Sequence, residues 1–94
     1  MAVLVLTEIP GATAEDGKQW EPVMGQLRRS PGFVFQADGP MEGGWRLVSV
    51  WEKREDFRHF YESAVKPNLP PGTPDRDRVY ELANVLFADG EGKS

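Results

Sequence analysis

The chain predicts an α+β, ferredoxin-like βαββαβ fold: a four-stranded antiparallel sheet with two helices on one face. Three observations predict it. Trp45, Leu47, Ser49 and Trp51 alternate with Arg46, Val48, Val50 and Glu52, which is the period of two of a strand. From Phe57 the period lengthens to Phe57, Phe60, Tyr61, Ala64 and Val65, the stripe of a helix buried on one side. A strand-then-helix pattern of the same kind opens the chain, so two strand–helix–strand halves follow one another.

Ala2 to Ile9, rich in Val and Leu, reads as the first strand, and Pro10-Gly11 stops it. Thr13 is a good N-cap for the first helix, with Asp16 in capping-box position and Glu15 where the helix dipole favours acids. That helix runs to Arg29 and turns Trp20, Val23, Met24 and Leu27 inward. Gly17 costs roughly 1 kcal/mol against alanine, and a mid-helix Pro22 removes a backbone bond. A kink or a late start near Trp20 is therefore expected. Ser30-Pro31-Gly32 is a turn, Phe33 to Asp38 the second strand, and Gly39 to Gly44 a long hairpin connection into the third. The second helix spans Arg54 to Lys66 and ends before Pro67. A proline-stiffened loop, Asn68 to Pro74, leads to a fourth strand, Arg78 to Phe87. Residues 1–88 form one domain, and the polar tail 89–94 is expected to be flexible.

At 94 residues, such a domain buries only about 60–65% of its unfolded surface, so association would help it. A sheet with both helices on one side also leaves its other face bare. Val48 and Val50 lie on that face, opposite the tryptophans, and a homodimer packed sheet against sheet is the expected solution. The net charge of −4, spread along the chain, argues against a nucleic-acid partner. The absence of cysteine excludes disulfides, thiolate catalysis and cysteine metal sites. A single histidine is a poor basis for a metal centre, and no metal is expected. MAVLVLTEIP has no basic flank and too short an apolar run for a signal peptide or a membrane span, so a cytoplasmic protein is expected.

The segments IPGATAED, GFVFQADGPMEGGWRLVSVWEKREDFRHFYESAVKP and VYELANVL resemble the dimeric α+β barrel superfamily. The nearest likeness is to its small antibiotic biosynthesis monooxygenase-like proteins. The resemblance covers most of the chain. It implies a pocket between helices and sheet, lined by aromatics, with Trp51 facing it. It also implies activities that range from cofactor-independent oxidation of polyketide phenols through haem degradation and isomerisation to none known. The haem-degrading branch uses an asparagine on the first strand and a histidine ten residues after the tryptophan. Here the first strand has no asparagine, the second position is Tyr61, and His59 falls short of it, so haem degradation is disfavoured. The resemblance further leads one to expect a histidine, an acid and a histidine where this chain has Gln36, Ser49 and Ala83.

His59 sits on the polar side of its helix beside Glu55 and Glu62 and reads as a solvated side chain. Trp51 is as readily slot as core, whereas Trp20 and Trp45 read first as packing, with Trp20, Met24 and Phe57 the remaining candidates for a slot wall. Tyr61 and Tyr80 offer hydroxyls that hold a substrate oxygen or shuttle a proton, or simply close the rim of a core. Asn84 is in phase with Tyr80 and Leu82 and is expected to point into the pocket. Ser49 shares the face of Trp51 but has no base beside it in sequence, so it is a binding group and not a nucleophile. Asp75-Arg76-Asp77-Arg78 reads as a surface turn of little energetic consequence.

Two functions follow. One is a small enzyme of secondary metabolism, without cofactor, that oxygenates an aromatic or polyketide-like phenol. Tyr61, Tyr80 and Asn84 would be its catalytic groups, and Trp51, Ser49, Trp20, Met24 and Phe57 its binding groups. A cyclase or isomerase in the same pocket is a close variant. The other is a non-catalytic small-molecule-binding or accessory protein. An open slot favours the enzyme, and a solidly filled helix–sheet interface favours the accessory role.

Overall fold

Strands β1 (Val3–Pro10), β2 (Phe33–Met41), β3 (Gly44–Trp51) and β4 (Asp77–Glu81) form one sheet in the order β2-β3-β1-β4, with every neighbouring pair antiparallel. The computed structural model describes residues 1–88, so the tail expected at 89–94 lies outside the described residues. Helices α1 (Glu21–Arg28) and α2 (Arg54–Phe60) complete the predicted βαββαβ order. Among the described residues, no helix is long and apolar enough to cross a membrane.

The first helix starts late, as Gly17 and Pro22 imply. Ala14–Trp20 is a 3₁₀ segment, and its start is held by Asp16, whose Oδ2 accepts the Thr13 backbone N–H at 2.8 Å. The α-helix proper begins only at Glu21, which puts Pro22 in the first turn, where a missing N–H removes no intrahelical bond. The second helix departs from expectation. After Phe60 it widens into a π segment, Tyr61–Val65, and then tightens into a 3₁₀ turn, Lys66–Asn68. Pro67 therefore lies inside the last turn and not beyond it, and Asn68 Nδ2 donates to the Ala64 carbonyl at 2.7 Å.

Two other boundaries are corrected. The long connection expected from Gly39 to Gly44 is a tight turn, Glu42-Gly43, with Gly43 at φ +78° and β2 extended through Pro40 to Met41. Pro40 is tolerated because β2 is an edge strand, where one side of the ladder has no partner to lose. The fourth strand, expected to reach Phe87, ends at Glu81. Its neighbour β1 begins at Val3, opposite Glu81, and the last link is Leu82 N–H to the Ala2 carbonyl at 2.8 Å.

Register sorts the sheet into two faces. Toward the helices lie the rows Phe33–Trp51–Val3, Gln36–Ser49–Val5–Val79, Asp38–Leu47–Thr7–Asp77 and Pro40–Trp45–Ile9. The core gathers at the Trp51 end, where Val3, Val5, Val23, Leu27, Trp51, Phe60 and Ala64 are buried together. On the opposite face lie Phe35–Val50–Leu4–Tyr80 and Ala37–Val48–Leu6–Arg78, bordered by the Arg46–Glu8 ion pair at 3.4 Å. Val48 and Val50 thus face away from the helices, as the alternation requires, and Phe35 and Tyr80 remain nearly half exposed.

Candidate functional site

Toward Trp45 and Ile9 the helical layer does not close on the sheet. A cavity of about 600 Å³ opens between them, within the size range of small-molecule sites. Val5, Ile9, Leu47, Val23, Trp20 and Phe57 give it apolar walls, and Gly11 to Ala14 with Asp16 and Gly17 form part of its rim.

Trp51 lies where the cavity meets the core. It is 1% exposed and packs on Phe33, Phe57 and Phe60 with ring centroids 5.3, 5.9 and 5.5 Å away. Its indole Nε1–H donates to Ser49 Oγ at 3.0 Å. A buried indole N–H needs such a partner, and two residues apart on one strand face is the spacing that supplies it. Ser49 accepts this bond, so its own hydroxyl proton is free to reach a guest.

Farther out the polar groups pair across the sheet. Gln36 Nε2 donates to Met24 Sδ at 3.3 Å, tying the inner face of β2 to α1. Trp45 Nε1 donates to Asp38 Oδ2 at 2.9 Å on the exposed β2 side. At the other edge of the same row, the Thr7 hydroxyl donates to Asp77 Oδ1. Burial pushes the Asp77 carboxyl above the usual carboxylate range, nearby Asp75 adds to the rise, and the Thr7 bond opposes it. Tyr61 faces the cavity from the first position of the π segment, packed against Phe57 with centroids 6.0 Å apart. Its phenol is also raised, first by burial and then by the charges of Asp75 and Asp77.

The cavity lining thus brings together Trp51, Ser49, Trp20, Met24, Phe57 and Tyr61 from the sequence candidates. Two candidates lie elsewhere. Tyr80 pairs with Leu4 on the opposite face of the sheet, and Asn84 lies past the end of β4, exposed. On β4 it is Asp77 and Val79 that share the inner face, and Asn84 has no strand to orient it. Gln36, the position where the resemblance leads one to expect a histidine, also lines the cavity, as do Thr7 and Asp77, which sequence reasoning missed. Thr7 was visible as the one hydroxyl in the series Val3, Val5, Thr7, Ile9, and Asp77 as the residue two before Val79. His59 is exposed and outside the lining, and Ala83 is exposed beyond β4. Among the described residues, no three His, Cys, Asp or Glu side chains are arranged to hold a metal ion.

No protein-family model matches the chain, and no curated protein matches it by sequence. Solved structures do match. The heme-free, heme-degrading protein Rv3592 from Mycobacterium tuberculosis superposes with a TM-score of 0.56 at 20% identity, covering 93% of this chain and 100% of that one. SnoaB, a cofactor-independent oxygenase from Streptomyces nogalater, reaches 0.57 at 16% identity in a mutant form, covering 90% and 94%. A mutant of MhuD with two manganese protoporphyrin IX bound per active site reaches 0.53 at 19% identity, covering 94% and 100%. The likeness is one of fold. It agrees with the four antiparallel strands and two helices described above.

Proposed function

We propose that this chain is a small cofactor-independent enzyme that binds an aromatic, polyketide-like phenol and oxygenates it, in the manner of an antibiotic biosynthesis-type monooxygenase. The observation that carries the reading is the open, mainly apolar cavity of about 600 Å³ with hydroxyls on its lining. A filled helix–sheet interface would have favoured a purely accessory protein. The fold shared with a cofactor-independent oxygenase supports the same reading.

In this reaction an aromatic C–H becomes a carbonyl. One oxygen atom of O₂ stays on carbon and the other leaves as water, with electrons supplied by the deprotonated ring itself. The protein has to bind the flat substrate, remove a proton and exclude water. Trp20 and Phe57 supply walls, Trp51 the floor, and Ser49 a hydroxyl donor. Tyr61, its phenol raised, stays protonated at neutral pH and is a second donor for a substrate oxygen.

The residues do not fit haem. No histidine lines the cavity, the sulfur of Met24 is engaged by Gln36, and the raised phenol of Tyr61 resists becoming a phenolate ligand. Asp16, Asp38 and Asp77 against Arg76 on the lining also repel the carboxylates of a porphyrin.

The working unit in this proposal is a homodimer, with the Phe35–Val50–Leu4–Tyr80 and Ala37–Val48–Leu6 rows covered by a second copy. A cyclase or isomerase would use the same cavity, and product analysis separates them. Incubation with anthrone under ¹⁸O₂ is expected to give anthraquinone carrying one labelled oxygen at the new carbonyl. Unchanged or rearranged, unlabelled product would refute the oxygenase reading.

A further inference from the structure

We propose that Asp77 is the general base of this cavity and that Thr7 positions it, an inference that rests on the oxygenase reading above. Five titratable side chains reach the lining: Asp16, Asp38, Tyr61, Arg76 and Asp77. Asp16 is exposed at the rim and is occupied in capping Thr13. Asp38 is exposed and receives the Trp45 indole. The guanidinium of Arg76 offers only donors, and the raised Tyr61 is a donor as well. Of the three lining carboxylates only Asp77 is partly buried, and its environment makes it a stronger proton acceptor than a solvated aspartate.

Its geometry suits the role. The register of β4 on β1 sets Asp77 directly beside Thr7, and the Thr7 hydroxyl binds Oδ1. In this proposal Oδ2 takes the substrate proton, with the Asp75 carboxyl as its side-chain neighbour. The backbone N–H of Asp77 is held by Asp75 Oδ1 at 2.9 Å, which fixes the start of the strand. The charged or titratable groups around the carboxyl are Asp75 and Arg76 on the preceding loop and Tyr61 from the helical layer, while its own row runs through Thr7 and Leu47 to Asp38 on the far edge of the sheet.

The chemistry balances for a ring carbon bearing two hydrogens. Oδ2 takes one proton, and the C–H electron pair enters the ring system as an enolate. That carbanion reduces O₂ and forms a C–O bond, and the peroxide takes the proton back from the Asp77 acid. Asp77 then removes the second C–H proton as the O–O bond breaks. The hydroxide released takes that proton, so the products are a carbonyl and one water.

The test separates proton removal from oxygenation. Anthrone, the keto tautomer of a phenol, is incubated with protein in D₂O without oxygen, and deuterium at its methylene is followed by mass spectrometry. Wild type is expected to exchange well above the buffer rate, rising with pH through one ionisation above the usual carboxylate range. Asp77→Asn is expected to lose about 10²-fold or more of that rate while still binding anthraquinone, read from tryptophan fluorescence. Asp77→Glu should recover part of it. Thr7→Val, which removes the bond favouring the charged carboxylate, should shift the pH profile upward. Exchange by Asp77→Asn within threefold of wild type, with the same pH profile, overturns the assignment. Wild type that neither exchanges nor oxygenates anthrone overturns the oxygenase reading as well, so the two failures are distinguishable.

Discussion

Ser49→Ala should destabilise this protein far more than its small size suggests. Trp51 is 1% exposed, and Ser49 Oγ, 3.0 Å away, is the partner of its indole N–H. Removing the hydroxyl leaves the buried indole donor without its protein partner, at a cost of about 1–3 kcal/mol. For a domain of this length, total stability is of order 5–14 kcal/mol, so the change is a sizeable fraction. With a urea slope of about 1.5 kcal/mol/M, a loss of about 2 kcal/mol lowers the unfolding midpoint by about 1.3 M. Trp51→Phe removes the donor together with part of the packing on three phenylalanines. Once the indole is gone, the serine has nothing to satisfy. Ser49→Ala made on the Trp51→Phe background should therefore cost about 1 kcal/mol or more less than on wild type. Urea unfolding of the four proteins at one fixed protein concentration gives the cycle. Additivity within about 0.3 kcal/mol would refute the reasoning, because the hydrogen bond would then contribute nothing.

Asp77 is raised in the folded state, so it favours folding below the ordinary aspartate value near 3.9 and loses that contribution as pH rises through its folded value. Asp77→Asn keeps an acceptor for Thr7 and should melt higher than wild type at pH 7, with the gap closing toward pH 4; a gap independent of pH would show the burial to be unimportant. Gly44→Ala places a Cβ 2.3 Å from the Ile9 carbonyl oxygen and 3.0 Å from Pro10 Cα, backbone that cannot swing aside. It should cost more than about 2 kcal/mol in chemical denaturation and weaken binding at the adjacent cavity mouth. Gly17→Ala meets nothing within 4 Å and should instead raise the melting temperature, by about 0.4–1 kcal/mol in stability. Val48→Glu charges the apolar sheet face; on the proposed interface, sedimentation should show a dimer for wild type and a monomer for the variant, and two identical profiles would refute that interface.

The strand–helix order was legible because two periods, near 2 and near 3.6, alternate cleanly around Trp51 and Phe57. The late start of α1 was legible as well, since Gly17 and Pro22 act locally. What failed was long-range. The end of β4 depends on where β1 runs out, and the tight turn at Gly43 depends on β2 being an edge able to carry Pro40. The candidate site divided along the same line. Trp51, Ser49 and Phe57 sit on segments whose phase the sequence fixes, and all three line the cavity. Tyr80 is a candidate for its hydroxyl and Asn84 for its alternation, and neither signal says which face of the last strand is inward or where that strand ends. Asp77 was hidden among alternating charges, because only its pairing with Thr7 turns a surface-like acid into a partly desolvated one.

The gap above Trp51 makes the interior unfinished, and that gives a way to find its occupant without knowing the chemistry. Any molecule that fills the space adds contacts the folded chain lacks by itself, and the unfolded chain has nothing to offer it. At a hundredfold excess over its dissociation constant, such a molecule contributes about 2.7 kcal/mol, which for a chain of this size is a rise in melting temperature on the order of 10 °C. A thermal-shift survey of flat, weakly polar compounds would therefore rank candidate occupants by heat resistance alone.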